Sequence, residues 1–172
     1  MRSSAATDAE FAEFMAARSS QLYRSAYLLT TSPHAAEDLL QTALAKAYAA
    51  WGRVRAADDP VAYVHGVLIK SFLSERRRRS STELPVAEAF DRPATVADPT
   101  ERVALMAALS QLAPLDRAVV VLRFWEDRSV SQTATDLDLS EAAVKNRSLR
   151  ALRTLRGLLA DTTPSTPTRS TT

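Results

Sequence analysis

Three times in this chain a Ser or Asp, side chains that cap helices, stands directly before a proline: Ser32-Pro33, Asp59-Pro60 and Asp98-Pro99. Ser and Asp accept hydrogen bonds from the unpaired N–H groups of a first helical turn. Proline fits the first helical position because it has no N–H to lose. Each pair therefore starts a helix and forbids one from running through it. Capping boxes mark one of these starts again, Asp98 with Glu101, and one further start, Ser129 with Gln132. Only 3 of the 172 residues are glycine, and Ala, Leu and Arg are abundant. No segment alternates apolar and polar residues as a half-buried strand would. The chain is thus expected to be all-α, with helices near 8–30, 33–51, 60–78, 99–113, 115–125, 130–137 and 141–159. Helical spacing of apolar residues supports this reading. The stripes are Phe11, Met15, Leu22, Ala26 and Leu29; then Leu40, Leu44, Ala47 and Trp51; then Val64, Val67, Leu68 and Phe72.

Residues 80–98 break the pattern. They are acidic, hold two prolines and show no helical period, which predicts a linker between two helical units. Leu84, Val86 and Phe90 leave that linker some capacity to dock. The division expected is a first domain over 8–80, a linker over 81–98, a second domain over 99–160 and a disordered tail over 161–172. From Thr162 on it is Thr, Ser and Pro with one Arg.

Composition excludes several function classes. With no Cys there is no disulfide, thiolate metal site or Cys nucleophile. His34 and His65 are the two histidines, too few for a convincing imidazole catalyst or zinc site. No Gly-rich phosphate loop, metal-ligand spacing or supported Ser–His–acid set is present. Neither a cofactor nor a metal is expected, and an enzyme is disfavoured. No apolar stretch approaches the ~18 residues of a membrane span, and the first residues, which lead into no apolar run, are not expected to act as a secretory signal. The absence of cysteine agrees with a reducing cytoplasm.

Net charge is +2, which by itself says little about partners. Its distribution says more. Residues 60–81 carry five basic groups against one acidic, and residues 139–161 carry five against two. Between them, residues 82–101 carry one against five. Separated blocks of one sign can bind a polyanion on a nearly neutral protein. A solvated helix end would account for either block alone.

The second block follows a helix-turn-helix pattern. A short helix carries Val130, Ala134 and Leu137, a tight connection falls at Asp138-Leu139, and Ser140 caps a longer helix. Unrolled at about 100° per residue, that helix gathers Val144, Ser148, Ala151, Leu152, Leu155 and Leu158 on one side. Asn146, Arg150 and Arg153 lie opposite, flanked by Arg147, Lys145 and Arg156. Arg and Lys suit phosphates and guanine edges, and Asn suits adenine. Glu141, Ala142, Lys145 and Asn146, in the first turns, are the candidate base readers. In the first unit, Glu75-Arg76-Arg77-Arg78-Arg79 ends a helix with a dense phosphate-binding cluster.

These residues resemble a known family. Glu37-Asp38-Leu39-Leu40-Gln41 resembles a signature helix of bacterial sigma factors. Pro60–Val64 followed by Arg76–Arg79 resembles their promoter-melting and −10-recognition stretch. Leu109–Asp127 resembles the lead-in to their −35-binding domain, and Ser129–Ala134 with Leu139-Ser140 and Ala143–Arg147 resembles its helix-turn-helix. Order, spacing and size are similar to the extracytoplasmic-function (ECF) sigma factors, in particular an actinobacterial SigE-like branch. The match runs from about Phe11 to Leu159.

The resemblance implies a sigma region-2-type and a region-4-type domain and a set of roles. Asp38, Leu39, Leu40 and Gln41 would contact the β′ clamp helices of core RNA polymerase. The loop from Trp51 to Asp59 would capture a flipped base. Tyr63, Lys70, Ser71, Arg76, Arg77, Arg78 and Arg79 would lie along the −10 element. Ser140, Glu141, Ala142, Lys145, Asn146, Arg147, Arg150 and Arg153 would read or clamp the −35 element. Core polymerase (β′ clamp and β flap), promoter DNA and an anti-sigma factor are the implied partners. Three positions depart from the family pattern. Lys70 stands where Asn is frequent, Asp138 where Gly is usual and Gln132 where Glu is common. Asp tolerates the left-handed conformation, so the turn should survive. Two other readings fit these residues: a helix-turn-helix regulator that works without polymerase, and an interaction protein such as an inactive sigma paralogue.

Overall fold

The computed structural model describes residues 4–82 and 99–162. Eight α-helices and one π-helical turn make up these residues, and no strand occurs among them. In order they are α1 (Ser4–Thr30), α2 (Pro33–Ala49), α3 (Trp51–Ala56), α4 (Pro60–Thr82), α5 (Pro99–Ser110), α6 (Pro114–Val120), the π turn (Val121–Trp125), α7 (Val130–Leu137) and α8 (Glu141–Thr162). Residues 83–98 of the expected linker and most of the expected tail lie outside the described residues, as does the Asp98 cap.

The start signals work as their chemistry dictates. Ser32 caps α2, its hydroxyl accepting from the Ala35 N–H at 3.4 Å, and Pro33 takes the first helical position. Asp59 accepts from the Ala62 N–H at 2.9 Å ahead of Pro60. The Ser129–Gln132 capping box closes in both directions, at 3.0 and 2.9 Å.

The apolar stripes become three clusters. Leu22, Ala47, Trp51, Val54 and Val64 form one within the first unit, with Phe11, Phe14, Leu40, Leu44 and Tyr63 packed against it. Val119, Ala134 and Val144 form another within the second. The largest cluster runs across both units. It joins Ala26, Leu29, Leu39, Leu68 and Phe72 to Met106, Leu109, Leu112, Leu122 and Ala151. The two units therefore share a core, which the paired-domain expectation does not contain.

Polar contacts follow the same seam. Arg117 of α6 is only 4% exposed. It donates to the Leu29 carbonyl of α1 at 2.6 Å and to the Ser110 and Leu112 carbonyls at 3.0 and 3.1 Å. Its guanidinium lies 6.0 Å from the Phe72 ring centroid. Glu126, just past the π turn, accepts from the Ser25 hydroxyl and sits 3.2 Å from His65 Nδ1. Burial alone would raise the Glu126 carboxyl. Hydrogen bonds from His65 and Ser25, with the charges of His65 and Arg128, outweigh it and hold the group below the ordinary carboxylate value.

Four expectations change. Trp51 opens a short helix instead of a loop, because its indole is buried edge-on against Phe11 and Phe14 and pins the chain there. Helix α4 continues through Thr82, so the first unit ends later than residue 80. Helix α5 stops at Ser110, before the turn that lets Pro114 start α6. The stretch 115–125 is not uniformly α-helical: Glu126 N–H reaches back five residues to the Val121 carbonyl at 3.0 Å. That extra residue in the ladder leaves Phe124 and Trp125 about half exposed while Glu126 points inward.

Candidate nucleic-acid interface

The helix-turn-helix is assembled as its sequence demands. Asp138 ends α7 in the left-handed conformation, φ 56° and ψ 46°, which aspartate tolerates better than most residues. Leu139, half-buried, packs with Val130 and Leu137 on the cluster formed by Ala134, Val144 and Val119. Its N–H bonds the Ala134 carbonyl at 2.9 Å, closing the turn. Ser140 then caps α8, accepting from the Ala143 N–H at 3.1 Å.

Helix α8 divides along its length. Val144 is fully buried and Ala151 nearly so; Ser148 and Leu155 are buried, and Leu152 and Leu158 are half-buried. On the other side Ser140, Glu141, Ala142, Lys145, Asn146, Arg150 and Arg153 are exposed, and Arg147 is half-buried. The predicted readers thus lie off the packed stripe, with Arg147 on the flank nearest α6. One neighbour on this flank was missed by sequence reasoning. Asp116 of α6, 6% exposed, receives Arg147 Nη1 on Oδ1 at 2.7 Å. It also receives Arg150 through Nε at 3.1 Å and Nη2 at 2.8 and 2.9 Å. The available signal was an acidic residue inside an apolar run, followed by Arg117.

In the first unit the predicted −10 residues separate. Lys70 and Arg77–Arg79 are exposed, and Tyr63 is half-buried. Arg76 is half-buried, its guanidinium 5.6 Å from the Phe72 ring centroid. Arg79 pairs with Glu75 at 2.8 Å, with about half of each side chain exposed. Ser71, by contrast, is buried and accepts from Lys46 Nζ at 2.9 Å. Trp51 is buried too. A cleft of about 870 Å³ separates this face of α4 from the second unit. Lys70, Ser74 and Arg77 line one wall, Pro114, Asp136 and Asp138 the other.

On α2, Asp38 and Gln41 are exposed and Leu40 is half-buried. Leu39, grouped with them by sequence, is 1% exposed and belongs to the shared core. At these four positions the exposed groups are therefore the polar ones, Asp38 and Gln41.

Two family models match. Sigma-70 region 2 covers residues 14–82, and Sigma-70 region 4 covers residues 102–155. The chain is 40% identical over 151 residues to the RNA polymerase sigma-E factor of Streptomyces coelicolor, across 86% of this chain and 84% of that protein. It is 42% identical to the sigma-E factor of Streptomyces avermitilis, across 86% and 83%. The chain belongs to the ECF sigma factors of bacterial RNA polymerase. More distantly, this sigma factor is 30% identical to the ECF RNA polymerase sigma factor SigL of Mycobacterium tuberculosis, across 78% and 80%. Among solved structures, the sigma factor RpoE of Bartonella quintana, crystallised with the anti-sigma factor NepR, matches with a TM-score of 0.68. The match covers 88% of this chain and 97% of that one at 22% identity, a likeness of fold.

As an ECF sigma factor the protein is a transcription initiation factor. It directs core RNA polymerase to specific promoters and starts transcription through −35 and −10 recognition and melting. Among the described residues no helix is long and apolar enough to cross a membrane.

Proposed function

We propose that the exposed face of α8 reads the −35 element. Lys145, Asn146, Arg147, Arg150 and Arg153 supply base and phosphate contacts, and Ser140, Glu141 and Ala142 lie at the groove edge. The observation that carries this reading is that the predicted readers, apart from half-buried Arg147, are exposed around the second helix of a properly capped helix-turn-helix. Lys70, Tyr63 and Arg76–Arg79 take the −10 element. Trp51 and Ser71 support that face from within, since neither is exposed. Asp38 and Gln41, with the edge of Leu40, meet the β′ clamp helices, and Leu39 anchors the helix beneath them. The second unit approaches the β flap. An anti-sigma factor that holds the protein inactive completes the set of partners. The protein works in the cytoplasm, where polymerase is, and carries out no catalytic step of its own.

The test is run-off transcription on genomic templates with core polymerase reconstituted with this factor. Initiation from a defined set of promoters is expected, and failure to initiate anywhere would sink the reading. Asp38→Ala with Gln41→Ala should weaken polymerase binding about tenfold without loss of helix content, because both side chains are exposed.

A further inference from the structure

We infer that Asp116 is a positioning residue for −35 recognition: it holds Arg147 and Arg150 in the arrangement that meets DNA. The inference rests on the assignment of those two arginines to the −35 element.

Arg147 and Arg150 are three residues apart on α8, so their side chains are neighbours on one flank of the helix. Two guanidinium groups brought together repel each other, and each long side chain has many rotamers to lose. Left alone they would splay apart, and a phosphate would have to order both. Asp116 removes that cost. Both its oxygens are used, Oδ1 by both arginines and Oδ2 by Arg150. Its side chain is only 8% exposed, whereas those of Arg147 and Arg150 are 30% and 61% exposed. The negative charge is therefore inside and the positive charges are outside. One carboxylate against two guanidinium groups leaves a net positive unit at the surface.

The arginines also keep donors. Arg150 spends its Nε and Nη2 edge on Asp116 and retains Nη1. Arg147 spends Nη1 and retains Nε and Nη2. A guanidinium fixed along one edge presents the other at a set position, which suits a phosphate or guanine edge. Arg153, one turn on and exposed, has no ion pair among the described residues. It provides the contrast within the same helix.

Asp116→Asn tests the inference because the two alternatives differ in sign. Removing a negative charge beside a DNA-binding surface strengthens binding if only net charge matters. Loss of positioning weakens it. The full-length protein is assembled with core polymerase and titrated with a duplex carrying a −35 element mapped by the run-off experiment. Asp116→Asn should weaken binding about tenfold. The loss should disappear on a duplex with that element scrambled. It should also disappear when Arg147 and Arg150 are already alanine, since the cycle then has nothing left to position. Binding unchanged or tightened by Asp116→Asn overturns the inference, as does a loss that adds fully to the arginine substitutions. If the arginine substitutions alone leave binding unchanged, the −35 assignment fails and the inference falls with it. A measurement on the unaltered protein guards against a variant that fails to fold. The Nε–H groups of Arg147 and Arg150 should be ordered on the nanosecond timescale by NMR relaxation, and that of Arg153 mobile. Equal mobility in all three overturns the inference.

Discussion

The two basic stretches of this sigma factor have nearly the same composition and opposite construction. At the end of α4, Arg77, Arg78 and Arg79 have exposed side chains, and the Arg79–Glu75 pair is half exposed on both sides. On α8, Arg147 and Arg150 are tied to a buried carboxylate in the neighbouring helix. Surface pairs between long side chains cost nearly as much entropy as they return. A pair anchored on a buried group that is already immobile loses less. The first stretch is thus a field of charge that adapts to a backbone. The second is a fixed set of donors. That difference matches the tasks proposed for them, melting strands that change shape and reading a rigid duplex. Arg117 is the far end of the same scale, wholly inside and bonded to three carbonyls.

Three substitutions test the scale. Arg117→Ala should have the largest effect. It strands the Leu29, Ser110 and Leu112 carbonyls in the seam between the units, at a cost of about 3 kcal/mol. Urea unfolding at neutral pH measures it, and an unchanged midpoint would show that the seam does not depend on this residue. Glu126 comes next. Its folded-state carboxyl is held below the ordinary value, so the stability it adds is present above that value. The contribution fades as pH falls through the lower, folded one. Repeating the urea series from neutral to acid pH should show wild-type stability falling more steeply than that of Glu126→Gln. Parallel curves would remove Glu126 from the account. Arg77→Ala should do least. Stability should change by under about 0.5 kcal/mol, while the salt dependence of promoter binding loses about one charge with equal effect across sequences. A sequence-dependent loss at Arg77 would break the contrast between the two stretches.

Much of the chain's reading rested on local chemistry, and those parts match the structure. Ser32, Asp59, Ser129 and Ser140 cap helices through their own neighbours. Asp138 turns the chain at its own φ. The apolar stripes are buried because helical period alone puts them on one side. The candidate site was legible to the same extent. The exposed row on α8 follows from angle per residue. The errors fall where distance along the chain is large. Leu39, Trp51 and Ser71 sit in candidate surface motifs, yet they are buried by partners in other helices. Trp51 meets Phe11 and Phe14, and Ser71 meets Lys46. A motif records which residues occur together, and burial depends on what packs over them.

The sequence by itself determined an all-helical chain, its helix starts, its helix-turn-helix and two basic faces, because caps, proline and the helical period act within a few residues. Only the tertiary structure decided which arginines are held and by what. Asp116 reaches Arg147 and Arg150 across more than thirty residues, and Arg117 reaches Leu29 across eighty-eight. Likewise only packing joined the two units through Leu29, Phe72, Leu109 and Leu122 into one core. Contacts of that kind depend on where whole helices come to rest, and no periodicity within one helix carries that information.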